Sequence, residues 1–195
     1  MELEDEITPF VRTRVALGEQ PCAAIIEETV DYLVDEADPA AVAAVAWRVA
    51  EEAFAAHLAA QATWDDITDS DRLTLGFTAL DAAGIVAREN FTCCQNCGHS
   101  EIGSEAAPGA RGYVFYHQQD AERAADGEVL YLAYGGFGAT GDARVGAEVA
   151  EALTRQGLMV DWSGDVTKRI RVPRRWQRRR TGDLAEVPPP GRRSR

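Results

Sequence analysis

Three of the chain's four cysteines and one of its three histidines fall within FTCCQNCGHSEIG, residues 91–103. Cys94 and Cys97, with Gly98 directly after, have the spacing of a zinc knuckle, where a tight turn brings two thiolates together and backbone amides point at the sulfurs. That is half a site. Tetrahedral zinc takes four ligands, and the chain contains no second CxxC. His117, at the end of the next predicted strand, is the third candidate, with His99 or Cys93 as the fourth. Cys93 ranks low because adjacent residues on a strand point to opposite faces, so Cys93 and Cys94 are not expected to bind together.

The same residues support two other readings. A CxxC pair can close a strained disulfide, and a helix beginning after its first cysteine would lower that thiol's pKa. GHSEIGSEAAPGARG is rich in glycine and helix breakers, so no activating helix is predicted. Alternatively, the cysteines are small buried hydrophobes in a turn. His117 and Asp120 permit a Cys–His–Asp arrangement with His117 as base and Asp120 fixing its tautomer. Spacing alone does not show that geometry; Asp120 is equally placed to cap the short helix that follows, and capping is the favoured role. His57 on an alanine-rich helix and Cys22 at a helix start read as structural.

Two further features attract functional readings. Gly136, Gly138 and Gly141 spell GxGxxG between a predicted strand and a helix, with Asp161 20 residues beyond, as in a dinucleotide-binding fold. Only 34 residues follow Asp161, too few to complete such a sheet, and Asp142 serves as an ordinary N-cap. The second feature is charge. Residues 168–195 hold 11 basic groups against Asp183 and Glu186, a net of +9, leaving −21 on residues 1–167. Arg174, Arg175, Arg178, Arg179 and Arg180 around Trp176 could meet nucleic acid phosphates. A body of −21 opposes that docking, so the favoured reading has Trp176 anchor the chain end while the arginines pair with acidic helices.

The elements that must position these residues come in two styles. Ile26, Val30 and Leu33 give one apolar face to a helix over 21–36. Asp38 and Pro39 open a second, to about residue 62. Thr68 and Asp71 make a capping-box pair before a third, stopped at Gly84. Thereafter IVARENFTCC, GYVFYH and EVLYLAYG read as strands, QQDAERAAD as a short helix, and a helix starts near Asp142 and stops at Gly157. GLMVDW and TKRIRV are predicted to form a terminal hairpin across SGDV.

Taken in order, ENFTCCQNCGHSEIG, GYVFYHQQD, LYLAYG and GLMVDWSGDVTKRIRVPRRW resemble a bacterial family known as a domain of unknown function, over roughly residues 68 to 180. The resemblance implies no activity. It supports the domain limits and singles out the cysteine cluster, His117 to Asp120, and the terminal hairpin.

The expected fold is α+β, an N-terminal helical segment (1–66) packed with a mixed four- to five-stranded sheet. That sheet belongs to residues 67–176, and a basic, proline-rich disordered tail covers 177–195. No apolar run approaches the roughly 18 residues of a membrane helix, and MELEDEITPF is acidic where a signal peptide is basic, so the expected location is cytoplasmic. In a reducing cytosol, clustered cysteines are metal ligands, catalytic thiols or buried hydrophobes rather than a disulfide framework. With no complete catalytic set, the expected function is a binding or interaction module, for which zinc is the cofactor the loop could take. The alternative is a thiol enzyme, oxidoreductase or hydrolase, using Cys94 or Cys97 with His117. The acidic body fits a protein partner, such as a basic nuclease to be shielded, better than nucleic acid or membrane.

Overall fold

The computed structural model describes residues 3–187. They divide into two compact units, residues 3–66 with 177–187, and residues 67–176. No helix among the described residues is long and apolar enough to cross a membrane.

The first unit is helical, built from α1 (Leu3–Leu17), α2 (Cys22–Tyr32) and α3 (Pro39–Gln61). The start of α3 follows the sequence rule: the Ala41 amide donates to Asp38 Oδ2 at 3.0 Å and Pro39 takes the first turn. Ile7 and Val11 of α1, Ile25 of α2, and Val42, Val49 and Phe54 of α3 meet in one core. Cys22 is fully buried there, a packing role as expected.

The expected disordered tail needs correction where it is described. Residues 177–187 belong to this unit, and Arg180 among them is 0 % exposed. Its guanidinium donates to the carbonyls of Val15 (2.8 Å), Leu184 (2.6 Å) and Gln20, and stacks 4.3 Å from the Phe54 ring centroid. Val15 lies in the last turn of α1, where helical carbonyls have no partner of their own. Gln61 clasps the same residue through its backbone, accepting from the Arg180 amide (2.7 Å) and donating to its carbonyl (3.0 Å). His57 Nε2 lies 3.0 Å from the Arg178 carbonyl and Arg179 donates to the Asp65 carbonyl. Residues 188–195, the remainder of the expected tail, lie outside the described residues.

The second unit is α+β. It comprises α4 (Asp69–Ala82), β1 (Ile85–Arg88), α5 (Gln95–Glu101), β2 (Gly112–Phe115), α6 (Gln118–Ala125), β3 (Leu130–Gly136), α7 (Asp142–Arg155) and β4 (Ile170–Val172). Thr68 and Asp71 form the predicted capping box, and Gly84 follows α4 with φ +83°. The sheet is mixed, in the order β1-β2-β3-β4, with β1 parallel to β2 and the other pairs antiparallel. α4 and α7 pack on one face. On the other, Val86, Phe115 and Ala133 bury against Ile102, in a 3₁₀ turn over 102–105.

Two expectations change here. The terminal hairpin shrinks to one bridge, Asp161 to Arg171, on the edge of β4 opposite its ladder with β3. The preceding chain instead turns so that Trp162 donates to Tyr134 Oη at 3.0 Å. At the glycine loop, Asp142 is the first residue of α7 rather than its cap, and accepts from the Gly136 amide at 2.7 Å. With β3 antiparallel to both neighbours, the loop does not sit in a parallel nucleotide-binding sheet.

Candidate metal centre

Because β1 and β2 are parallel, the chain between them leaves one end of the sheet and returns to the other. That crossover carries the cysteines. Its first residues stay beside the exit of β2: the Phe91 amide donates to Tyr116 O at 2.8 Å and the Gln118 amide to Thr92 O at 3.0 Å. The turn is tight, with φ +46° at Asn90 and +60° at Thr92. For a β-branched residue the latter is strained, at about 1–3 kcal/mol. Thr92 Oγ1 donates to Cys94 O at 3.2 Å, holding the bend that precedes the thiols.

α5 begins immediately afterwards with Cys94 as its N-cap, although a breaker-rich loop was expected there. Gly98 explains the helix. A Cβ on it would lie 2.3 Å from Phe115 Cε2, so the glycine admits the helix against an aromatic ring rather than opening a knuckle turn. We expect Gly98→Ala to cost about 1–3 kcal/mol by forcing α5 off Phe115, read as a lower denaturant midpoint at unchanged slope.

This local structure brings three sulfurs together. One ligand atom each from Cys93, Cys94 and Cys97 lies within 4.8 Å of the others, and Cys93 Sγ is 3.6 Å from Cys97 Sγ. Only on a strand would Cys93 and Cys94 point apart. The pair instead spans a turn and a helix cap, so strand alternation does not apply and both thiols join the cluster. The Cys97 amide bonds to Cys94 sulfur and holds that thiol below its ordinary range, whereas the sulfurs of Cys94 and Cys93 push Cys97 up to about 12. Three thiolates this close repel one another, and a cation removes that repulsion. The cluster could hold a metal ion.

Neither candidate histidine joins it. His99 is two residues beyond Cys97 on the same helix, which turns it to the opposite side. Its ring packs edge-on to Phe115 (centroids 5.3 Å apart), with Nδ1 3.1 Å from Tyr113 Oη. His117 runs beside the cysteine loop in its backbone, but its side chain is used elsewhere. It is the N-cap of α6: Nδ1 accepts from the Asp120 amide at 3.3 Å and Nε2 lies 2.9 Å from Asp120 Oδ2. Both ring nitrogens are thus engaged, at a residue only 3 % exposed. The capping role foreseen for Asp120 is shared, since His117 caps and Asp120 completes the box.

Asp120 also holds Arg169, accepting from both terminal guanidinium nitrogens. In sequence Arg169 is one arginine of the expected hairpin. Nothing local marks its bond to a carboxylate 49 residues away. Burial pulls the His117 imidazole down; Asp120 opposes this, and the charges of Arg169 and Arg123 reinforce it. With the folded pKa below an unfolded value near 6.5, the unfolded chain binds more protons in that window. Stability present above about pH 6.5 is therefore lost as pH falls. Thermal unfolding is expected to drop from pH 7 to pH 5, and less steeply in His117→Asn, which keeps a capping oxygen without the titration. His57 and His99, also lowered by burial, sustain the residual slope.

Arg169 further borders an open cleft of ≈ 730 Å³ with Arg123, Tyr131, Trp162, Lys168 and Arg171. Its cations are largely matched from within, by Arg169–Asp120, Arg171–Asp161 and Lys168–Asp165 pairs. The basic stretch is tied to the start of α4. Arg174 stacks 4.2 Å from the Trp176 centroid and donates to Ser70, and the Arg175 amide donates to Asp69 at 3.0 Å.

No curated protein and no solved structure matches the chain. A family model does, over residues 1–180, spanning the helical unit as well as the 68–180 stretch that carries the motifs and ending on the buried arginine. The chain belongs to the family described as domain of unknown function (DUF6891).

Proposed function

We propose that this chain is a binding module whose Cys93, Cys94 and Cys97 hold one zinc ion as a brace. The observation that carries the reading is the convergence of three sulfurs within 4.8 Å. Thiolates are soft donors that favour zinc or monovalent copper over magnesium or calcium. Zinc, with no redox chemistry of its own, suits a brace. The loop is already tied to the exit of β2 through Tyr116 and Gln118. An ion there would fix the sheet end and the start of α6 together. A net charge of −12 favours a basic protein as the partner. The cytoplasm, where thiols stay reduced, is the compartment that suits this site. The domain division proposed with this reading follows the two units, with residues 177–187 assigned to the first.

One observation favours a thiol enzyme as the second reading: Cys94 caps a helix and its thiol is held low by the Cys97 amide. Its proposed base is missing, since His117 is committed to Asp120. Alkylation with and without added zinc separates the two. Joint protection of Cys93, Cys94 and Cys97 by zinc supports the brace. Rapid labelling of Cys94 alone, indifferent to zinc, supports the enzyme and overturns the brace.

A further inference from the structure

Resting on the zinc reading, we infer that the fourth ligand of this site is a neutral imidazole donor supplied from outside the chain. A structural zinc site takes four protein ligands, and this cluster has three. The chain's other thiol and imidazoles are all accounted for. Cys22 is fully buried in the helical core. His57 bonds the Arg178 carbonyl, and His99 lies against Tyr113 and Phe115. His117 has both ring nitrogens on Asp120. Residues outside the described range contain no cysteine or histidine. Among the described residues, no carboxylate joins the group.

The cluster is open to solvent. Cys93 is exposed and Cys94 and Cys97 are half-buried, so a side chain of another molecule can reach an ion held between them. Charge selects the donor. Three thiolates on a divalent ion leave a net −1, on a chain that already carries −12. A fourth thiolate or carboxylate would add like charge, whereas a neutral imidazole adds none and is a borderline base suited to zinc. The ligand exchanged here is thus a histidine side chain or a small imidazole. The site acts as a docking point for that group.

Cobalt(II) substituted into the full chain tests this, because its visible bands report the donor set around the ion. Cobalt should first give thiolate charge-transfer bands. Free imidazole, or a peptide with one exposed histidine, should then shift the ligand-field bands to saturation at one donor per cobalt while the charge-transfer bands persist. The peptide binding more tightly than free imidazole would place the donor on a protein, and the reverse would place it on a small molecule. His99→Gln and His117→Asn should leave the starting spectrum unchanged. Absence of thiolate bands overturns the zinc reading, and this inference with it. Thiolate bands that ignore imidazole, or a starting spectrum altered by either substitution, overturn the inference alone. A response to mercaptoacetate but not imidazole overturns the donor class.

Discussion

Arg180→Ala is expected to lose on the order of 3 kcal/mol of stability or more. The arginine is fully buried, and its guanidinium is the partner of three carbonyls, those of Val15, Gln20 and Leu184. Among the described residues its partners are neutral oxygens and an aromatic face, not a carboxylate. Burial accordingly brings its pKa down to about 10, with a small opposing contribution from Cys22. Each buried acceptor left unmet costs about 1–3 kcal/mol, and the vacated volume beside Phe54 adds a cavity term. Arg180→Met fills much of that volume but leaves the carbonyls unmet, so it should recover only part of the loss. Removing residues 177–195 should cost at least as much as Arg180→Ala. Denaturant midpoints check this series, and a truncated chain as stable as the full one would show that the arginine clasp contributes nothing.

The contrast between Arg180 and its neighbours shows what sequence reading captures. Caps written within four residues were legible: Asp38 with Pro39, Thr68 with Asp71, and Gly84 all stand where propensity puts them. The α+β class and the mixed sheet followed from the change of hydrophobic period after Gly84. Choices made over long sequence distance were not legible. Arg180 is one of five arginines in seven residues, and it is the distant carbonyls of Val15 and Gln20 that distinguish it. β4 makes its ladder with β3 and only a single bridge with the segment just before it, a tertiary choice that alternation in TKRIRV cannot encode.

The cysteine loop divides the same way. Residue types located the site, but its ligand set depended on whether residues 93–99 are strand, loop or helix. Gly98 read as a turn former, while its contact with Phe115 makes it a packing residue inside α5. The helix then brings Cys93 in and turns His99 out. His117 was a reasonable third ligand by position, yet its ring nitrogens serve the start of α6.

The second large effect is expected at the thiols. Cys93→Ser, Cys94→Ser and Cys97→Ser should each weaken zinc binding by roughly 100-fold or more, taking an overall binding energy of about 10–16 kcal/mol as shared among four ligands. Cys22→Ser should leave zinc affinity unchanged, since that thiol packs in the core of the helical unit. Competition with a chromophoric chelator gives the affinities. The comparison among the three also tests the role found for Cys93. Were Cys93→Ser to bind zinc as tightly as the unaltered chain, only the CxxC pair would be engaged.

The most direct measurement is the metal content of the chain purified without a chelating tag, followed during titration of its thiols. About one zinc per chain, released as Cys93, Cys94 and Cys97 are blocked together, is the predicted result. Metal-free protein that also fails to bind added zinc, with the three thiols reacting independently, would contradict it.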